Sequence, residues 1–241
     1  MNNNNYKSYV TNKQNDMNRE TKVSDLLTNS FFKPYLHSSD PITDKDKQIS
    51  GIDLESPVGN IDLKSAVTRL DGGLNTFCIE LFFINSVGKS QKGWFLNSDS
   101  QTDYYSFNFF KNRALVENNN LNPRDYSYLN SVEDIGIAEI ILVKKSKLKE
   151  FLKPYLEEKS NLDKMNEMFT KQISKHVIDN NVSISHSFKL REAPINLLVS
   201  KSKLIELADV HVLVDYTDNE NTEILKHKFA DNEILEEIIY N

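Results

Sequence analysis

Residues 51–64 read GIDLESPVGNIDLK and predict a β-hairpin with charged side chains on one face. Two extended runs, 49–55 and 58–67, meet at a turn rich in Pro, Gly and Asn, which are turn formers for separate backbone reasons. Because side chains alternate along a strand, Asp62 and Lys64 share a face. This hairpin therefore anchors the prediction of both the fold and the functional site.

The pairing of the two strands decides whether Asp53 joins that face. A four-residue turn over 57–60 pairs Asp53 with Lys64, and a two-residue turn at 59–60 shifts the pairing by two positions without changing the face. Glu55 falls on the same side. The opposite side is apolar throughout, with Ile52, Leu54, Ile61 and Leu63. Two interpretations are open: an active site on a charged sheet face, or an ordinary solvated face with a cross-strand ion pair.

The alternation of helical and extended patterns predicts an α/β fold. We expect one central mixed β-sheet flanked by helices, with a C-terminal α/β extension. The further strands predicted are 75–84, 93–96, 103–110, 137–143, 195–199 and 210–214, and the helices are 20–32 (ending before Pro34), 146–156, 161–177, 201–208 and 232–240. The expected organisation is a disordered tail over residues 1–18, followed by a single domain over 19–241. Its core spans about 20–110 and its extension about 130–241.

The composition restricts the setting of the protein. A single cysteine, Cys78, excludes an internal disulfide and favours a reducing compartment, and its apolar strand predicts a buried thiol. No apolar run approaches the roughly 20 residues that span a bilayer, and the first residues lack the apolar stretch of a secretory signal. We therefore expect a cytoplasmic protein with no membrane partner. The net charge of −6 counts against non-specific nucleic-acid binding, but a cluster of carboxylates around metal ions would also add negative charge to a protein.

Hydrolysis of a phosphodiester bond needs an activated water and neutralisation of the charge that builds up on the phosphate. Divalent metals held by carboxylates supply both, and Mg²⁺ usually takes only one or two protein carboxylates while keeping several waters. A nearby lysine orients the attacking water or stabilises the charge. Asp53, Asp62 and Lys64 on one sheet face are therefore the residue types that a metal-dependent nuclease requires.

The hairpin residues resemble the signature of a known superfamily. Asp53, followed by a turn and then Asp62-Leu63-Lys64, resembles the D…(D/E)xK signature of the PD-(D/E)XK nucleases, the restriction-endonuclease-like superfamily. Ile52 stands where the proline of the signature is found, as is common in divergent members. The flanking segments, in their order, resemble a group of bacterial and phage proteins of that fold; they are Asp44 and Gln48, NTFCIEL at 75–81, KGWFL at 92–96 and TDYY at 102–105. The resemblance covers about residues 20–110.

The resemblance implies a function and a set of roles. The protein would be a metal-dependent nuclease that hydrolyses phosphodiester bonds of DNA, in restriction, phage defence or recombination, with Mg²⁺ or Mn²⁺ as cofactor. Lys64 would be the catalytic lysine, with Asp53, Asp62 and Glu80 as further catalytic residues. The implied metal ligands are Asp53, Asp62, Glu20 and Glu80, with the backbone carbonyl of Leu63 as an additional ligand, and Gln48 would bind the substrate.

Other interpretations stay open on sequence alone. A catalytically inactive nuclease-fold protein that binds a partner or serves as a scaffold would show the same residues, and RNA is not separated from DNA. Because cutting two strands needs two active sites, we expect a homodimer. The lysine-rich run 144–153 either follows a phosphate backbone or is a solvated helix face, and the second is more common. Trp94 is expected to pack in the core rather than to stack on bases.

Overall fold

The computed structural model describes residues 17–218 and 223–229, and its strands form two β-sheets. In the first sheet the spatial order is β1 (Leu54–Ser56), β2 (Gly59–Ser65), β5 (Tyr104–Asn112), β6 (Ile135–Lys144), β10 (Val210–Asp215) and β11 (Glu223–Phe229). In the second sheet it is β4 (Ser90–Lys92), β3 (Thr76–Ile84), β9 (Ile195–Ser200), β8 (Val182–His186) and β7 (Lys175–Val177). Strands β2 and β5 are parallel, and the other pairings of these strands are antiparallel.

Helices complete the architecture, which confirms the α/β class but not the single central sheet. They are α1 (17–27), α2 (Lys33–Leu36), α3 (Lys45–Ile49), α4 (Arg113–Glu117), α5 (Lys145–Glu157), α6 (Lys159–Lys171) and α7 (Lys201–Leu207), with a π-helical turn, Thr28–Phe32, between α1 and α2. None of the helices among the described residues has both the length and the apolar character to cross a membrane.

The two faces of the first sheet carry two separate hydrophobic cores. On one face, α1 and α2 pack against inward side chains of β1 and β2, among them Leu54 and Ile61. On the other face, Tyr105 and Phe107 of β5 pack with the second sheet and with α5, α6 and α7. Because side chains alternate along β2, Asp62 is directed to the face opposite to Ile61, toward the second core. The hairpin therefore presents its charged side to the space between the sheets.

The register of the hairpin preserves the predicted shared face, although the turn lies elsewhere. Ser56 pairs with Gly59, so the turn is Pro57-Val58 and not either of the turns expected from the sequence. Continuing this register by one residue beyond the pair Leu54 and Ile61 places Asp53 opposite Asp62. All these turns differ by an even number of positions, and an even shift leaves the face unchanged.

The expectation of one central sheet was wrong, since strand β3 lies in the second sheet. Both sides of β2 are already paired, with β1 on one side and β5 on the other, so no edge is left for β3. The apolar side of β3 instead packs across onto β5, where the Phe77 ring lies 5.0 Å from that of Phe107. Strands from both halves of the chain share each sheet, because β5 pairs with β6 and β3 pairs with β9.

Several local predictions also need correction. Residues 94–96 form a 3₁₀ helix, and the strand of this region is Ser90–Lys92, inside the loop predicted over 85–92. The helix predicted over 161–177 ends at Lys171, where Gln172 takes a left-handed conformation, and β7 follows. The first helical segment does not stop before Pro34, because the π-helical turn allows the amide of Lys33 to donate to Thr28 O.

Most of the strands and helices predicted in the second half of the chain are present in the structure. The strands 137–143, 195–199 and 210–214 and the helices 146–156 and 201–208 are confirmed within one or two residues. Strands β7, β8 and β11 and helices α3 and α4 were not predicted. Cys78 is exposed, not buried, because it lies on the side of β3 that faces away from Ile79 and the core. The disordered tail over 1–18 falls outside the described residues except for positions 17 and 18, which are helical, and the helix over 232–240 falls outside them entirely.

Candidate functional site

The structure brings Asp62 and Lys64 of β2 into direct contact. Lys64 Nζ lies 2.7 Å from Asp62 Oδ1. Asp62 is only 4% exposed, and the Lys64 side chain is 22% exposed. An ordinary ion pair on a solvated sheet face would leave both groups in water, so that interpretation does not fit this geometry.

Asp53 lies against this pair and completes the predicted trio. Its Oδ2 atom accepts a hydrogen bond of 2.7 Å from the backbone N–H of Leu63. Burial raises the pKa of Asp62 to about 7, against the opposing charge of Lys64 and with an added contribution from the charge of Asp53. The carboxyl groups of Asp53 and Asp62 are close enough for one to hydrogen-bond the other when Asp62 is protonated. The site therefore holds two adjacent carboxyl groups and one ammonium group.

A short segment closes over Asp62 from the side of β5. Thr102 Oγ1 donates to Gly51 O at 2.7 Å and lies 2.9 Å from Ser100 Oγ. Gly51 has a φ of +74°, and a Cβ atom at this position would lie 2.5 Å from Thr102 Oγ1 and 3.5 Å from Asp62 Oδ2. Glycine is therefore required here for both its backbone conformation and its small size.

Lys145 brings a second cation to the site; the sequence marked it only as part of the lysine-rich run 144–153 and did not place it beside the aspartates. Its Nζ atom donates to Ser100 O at 2.8 Å and to Ser100 Oγ at 3.1 Å. Burial and the like charge of Lys149 lower the pKa of Lys145, while Asp103 and Asp62 act in the opposite direction. The signal in the sequence was a lysine at a strand-to-helix junction, which carries no functional meaning until β6 is placed beside β5.

Two aromatic side chains form the floor of the site. Tyr105 is the register partner of Asp62 on β5, and its buried hydroxyl is directed toward Ser100, at a geometry too poor for a regular hydrogen bond. Burial, together with the charge of Asp62, raises the pKa of Tyr105 far above its ordinary value. Trp94 is half-buried, with its ring 4.9 Å from that of Tyr105 and 4.7 Å from Lys64 Nζ. The Trp94 ring therefore packs under the lysine, where its face attracts the ammonium group.

Glu80 lies near this cluster but does not join the two aspartates as a third carboxylate. It is half-buried, and burial raises its pKa, with Glu192 acting in the same direction. A hydrogen bond from the backbone of Trp94 and the charge of Lys64 act in the opposite direction. Among residues 17–218 and 223–229, no group of three or more His, Cys, Asp or Glu side chains is arranged to hold a metal.

The other two predicted site residues are exposed, whereas Asp62 is buried. Glu20 is exposed on α1, which packs on the sheet face opposite to Asp62. Gln48 is exposed on α3, where its Nε2 atom donates to Ile42 O at 2.7 Å. Asp44, which preceded the signature in the sequence, caps α3 by accepting from the amides of Asp46 and Lys47.

The contact between Gly93 and Glu80 gives a first testable prediction. A Cβ atom on Gly93 would lie 2.5 Å from Glu80 O and 2.7 Å from its Cγ, so the backbone must shift. We expect Gly93→Ala to lower the free energy of unfolding by about 1–3 kcal/mol. Gly73→Ala is the matched control, since its nearest neighbour would lie at an ordinary 3.7 Å. Urea unfolding compares the two variants, and equal stability would contradict the tight packing of Gly93 on β3.

The donor set of the site fits a hard divalent cation. Asp53 and Asp62 offer carboxylate oxygens, which Mg²⁺ and Mn²⁺ prefer, and Mg²⁺ is commonly held by one or two carboxylates with waters and substrate phosphate. A carboxyl group whose burial raises its pKa to about 7 exchanges its proton readily for such a cation. Comparison of the chain with protein-family models, curated proteins and solved structures found no match.

Proposed function

We propose that the protein is a metal-dependent nuclease that hydrolyses phosphodiester bonds of DNA. The observation that supports this best is the buried Asp62 carboxyl, which lies between Asp53 and Lys64 at the end of the hairpin away from its turn. A buried carboxyl group whose pKa is strongly raised and which has a specific charged partner is a candidate for a functional site. The resemblance to the PD-(D/E)XK signature and to a restriction-endonuclease-like core belongs to the same proposal.

Asp53 and Asp62 would hold Mg²⁺ or Mn²⁺ in this proposal. The ion would supply an activated water and neutralise charge on the phosphate. Asp62 must first lose its proton, which burial retains up to a pH of about 7. The hydrogen bond from the Leu63 amide fixes the Asp53 carboxylate, so that one carboxylate is already oriented.

Lys64 contributes a charge that can move between two partners. In the structure its ammonium is satisfied by Asp62 at 2.7 Å and by the face of Trp94. When a cation takes over the Asp62 carboxylate, the ammonium becomes free to bind a phosphate oxygen or the attacking water. A charge-assisted hydrogen bond of this kind is stronger than one between neutral groups, and it stabilises the charge that develops in the transition state.

The direct test is a cleavage assay on plasmid, linear duplex and single-stranded DNA and on RNA. We expect cleavage of DNA with Mg²⁺ or Mn²⁺ and none with a chelator. Lys64→Met, purified in parallel, controls for contaminating nucleases because it keeps the apolar length of the side chain. If wild type and Lys64→Met give the same trace of activity, or if no substrate is cut, an inactive binding or scaffold protein becomes the better interpretation. Double-strand breaks without accumulated nicks would favour a homodimer.

The basic start of α5 is the surface on which we expect the DNA backbone to lie. The first turn of α5 contains no acidic residue, and Lys144 and Lys149 are exposed and have no ion-pair partner in the described residues. Lys145 connects this turn to the site through Ser100. We therefore expect the double variant Lys144→Gln/Lys149→Gln to weaken binding to duplex DNA and to lower the slope of log affinity against log salt by about 1–2.

Binding is measured in chelator, so that it does not depend on catalysis. The matched control is Lys159→Gln/Lys171→Gln, which removes two lysines at the ends of α6. An equal loss of affinity in both double variants would mean that net charge alone, and not the surface beside Asp62, governs DNA binding.

A further inference from the structure

A cavity lies at the other end of β5 from the aspartates. It has a volume of about 220 Å³ and is lined by strands β5, β6 and β10, by the loop that follows β2 and by the start of α7. Phe109 lines it, four residues along β5 from Tyr105, so the cavity lies about 13 Å from the candidate nuclease site. A volume below the 300 Å³ or more of most drug-sized sites limits the ligand to a small molecule.

Positive charge dominates the lining of this cavity. Three cationic side chains, Arg69, Lys111 and Lys201, face one carboxylate, Glu139. Glu139 is already engaged, because Lys201 Nζ lies 2.9 Å from its Oε2 and His211 Nε2 lies 2.9 Å from its Oε1. Although burial opposes it, these two hydrogen bonds and the charge of Lys201 keep the pKa of Glu139 below its ordinary value.

The cation that remains available is Lys111. Arg69 pairs with Asp71 at 3.1 Å, whereas Lys111 has no ion-pair partner within the described residues. A β-bridge between Asp71 and Lys111 holds the loop against β5, and the aliphatic stem of Lys111 passes beside Gly72. The backbone therefore fixes where the Lys111 side chain starts, on the wall of the cavity.

The rest of the wall is apolar and partly aromatic. Phe109 lies under Lys201, with the Lys201 Nζ atom 5.1 Å from its ring centroid, and Leu213 of β10 closes one side. Charges beside apolar walls are poorly screened by water, so their attraction for an anion is stronger than on open surface. The arrangement suits a ligand with one anionic group and a small flat apolar body.

We propose that this cavity binds a small organic anion, either an organic phosphate or a carboxylate, through Lys111 and the apolar wall of Phe109 and Leu213. The ligand is a different one from the nucleic acid considered above, and the inference does not depend on nuclease activity. The anionic group lies against the Lys111 ammonium, and the apolar body lies over the wall between Phe109 and Leu213.

Isothermal titration calorimetry with phenyl phosphate, benzoate and neutral benzyl alcohol tests this assignment. We expect at least one of the two anions to bind at millimolar concentration and benzyl alcohol to bind about tenfold more weakly or not at all, since its neutral hydroxyl lacks the charge that strengthens a hydrogen bond to an ammonium group. Binding of phenyl phosphate alone identifies a phosphate site, and binding of benzoate alone identifies a carboxylate site. Failure of both anions to bind overturns the proposal.

Variants locate the binding in the cavity. We expect Lys111→Gln to weaken anion binding about tenfold or more, Lys111→Arg to retain it, and Leu213→Trp to abolish it by filling the space. Lys89→Gln, on an exposed turn of the second sheet, is the matched control and should bind as wild type does. Melting curves show whether Leu213→Trp is folded; if it is not, the comparison of the two Lys111 variants decides. Unchanged affinity in Lys111→Gln places the anion elsewhere and refutes the assignment.

Discussion

Asp62→Asn is expected to stabilise the metal-free protein at neutral and alkaline pH. Because burial raises the pKa of Asp62 to about 7, the folded state resists ionisation of this carboxyl, whereas the unfolded chain ionises freely near pH 4. The free energy of unfolding of wild type therefore falls as the pH rises from about 4 to about 7, because only the unfolded state releases the proton over that range. Asparagine does not ionise, so the variant avoids this loss.

The expected difference is large and has a defined pH dependence. At pH 8 the variant should be more stable than wild type by up to about 4 kcal/mol, and the difference should shrink toward zero as the pH approaches 4. Urea unfolding in chelator at several pH values measures it. Asp40→Asn is the control, because Asp40 is exposed and lies outside the site. A difference that is constant with pH, or that favours wild type at pH 8, would show that Asp62 is ionised without penalty in the folded protein.

Added metal should reverse this order. Mg²⁺ or Mn²⁺ bound only to the folded state stabilises it by mass action, and wild type should then gain melting temperature with millimolar metal. Asp62→Asn should lose this response together with cleavage. A metal-dependent rise that persists in the variant would show that the cation binds elsewhere.

Lys64→Met is expected to lower the cleavage rate by about 10²–10⁴-fold, as removal of a single charged group in an active site commonly does. An ammonium group is not a metal ligand, so the metal-dependent rise in melting temperature should remain. Methionine keeps the apolar stem that lies over Trp94. The variant thus separates catalysis from metal binding and from packing.

Lys47→Met is the matched control for the charge change. Lys47 forms an exposed ion pair with Glu55 at 2.6 Å, on the chain segment that leads into the hairpin. Single-turnover cleavage rates are compared at saturating enzyme. A rate within about threefold of wild type for Lys64→Met, or an equal loss for Lys47→Met, would remove Lys64 from the proposed mechanism.

The shared face of Asp53, Asp62 and Lys64 could be predicted because it depends only on the alternation of a strand. The prediction survived an error in the position of the turn, since every turn considered preserves the parity of the pairing. The strands at 137–143, 195–199 and 210–214 were also predictable, because buried strands are continuous apolar runs. Side-chain alternation and apolar runs were sufficient to predict features that depend only on neighbouring residues in the sequence.

The arrangement of the sheets and half of the site could not be predicted in this way. Whether β3 lies beside β2 depends on which strand takes the free edge of β2, and that strand, β5, follows later in the chain. Lys145 and Ser100 meet only after β6 pairs with β5, and neither has a distinctive local pattern. Glu20 and Gln48 were chosen by sequence order, whereas the faces of α1 and α3 decide where they are directed.

The sharing of both sheets by the two halves of the chain governs how the molecule acquires its shape. Strand β3 pairs with β9, whose residues lie about 120 positions later in the chain. Closing this long loop costs conformational entropy before the contacts between the two strands can form. Folds dominated by such distant pairings fold slowly, and their unpaired edges stay exposed in the meantime. A chain emerging from a ribosome can pair the hairpin with β5 and β3 with β4, but the other edge of β3 stays unpaired until β9 has been synthesised. A cut in the exposed segment 118–120 would leave two fragments that remain joined through paired strands rather than two independent folding units.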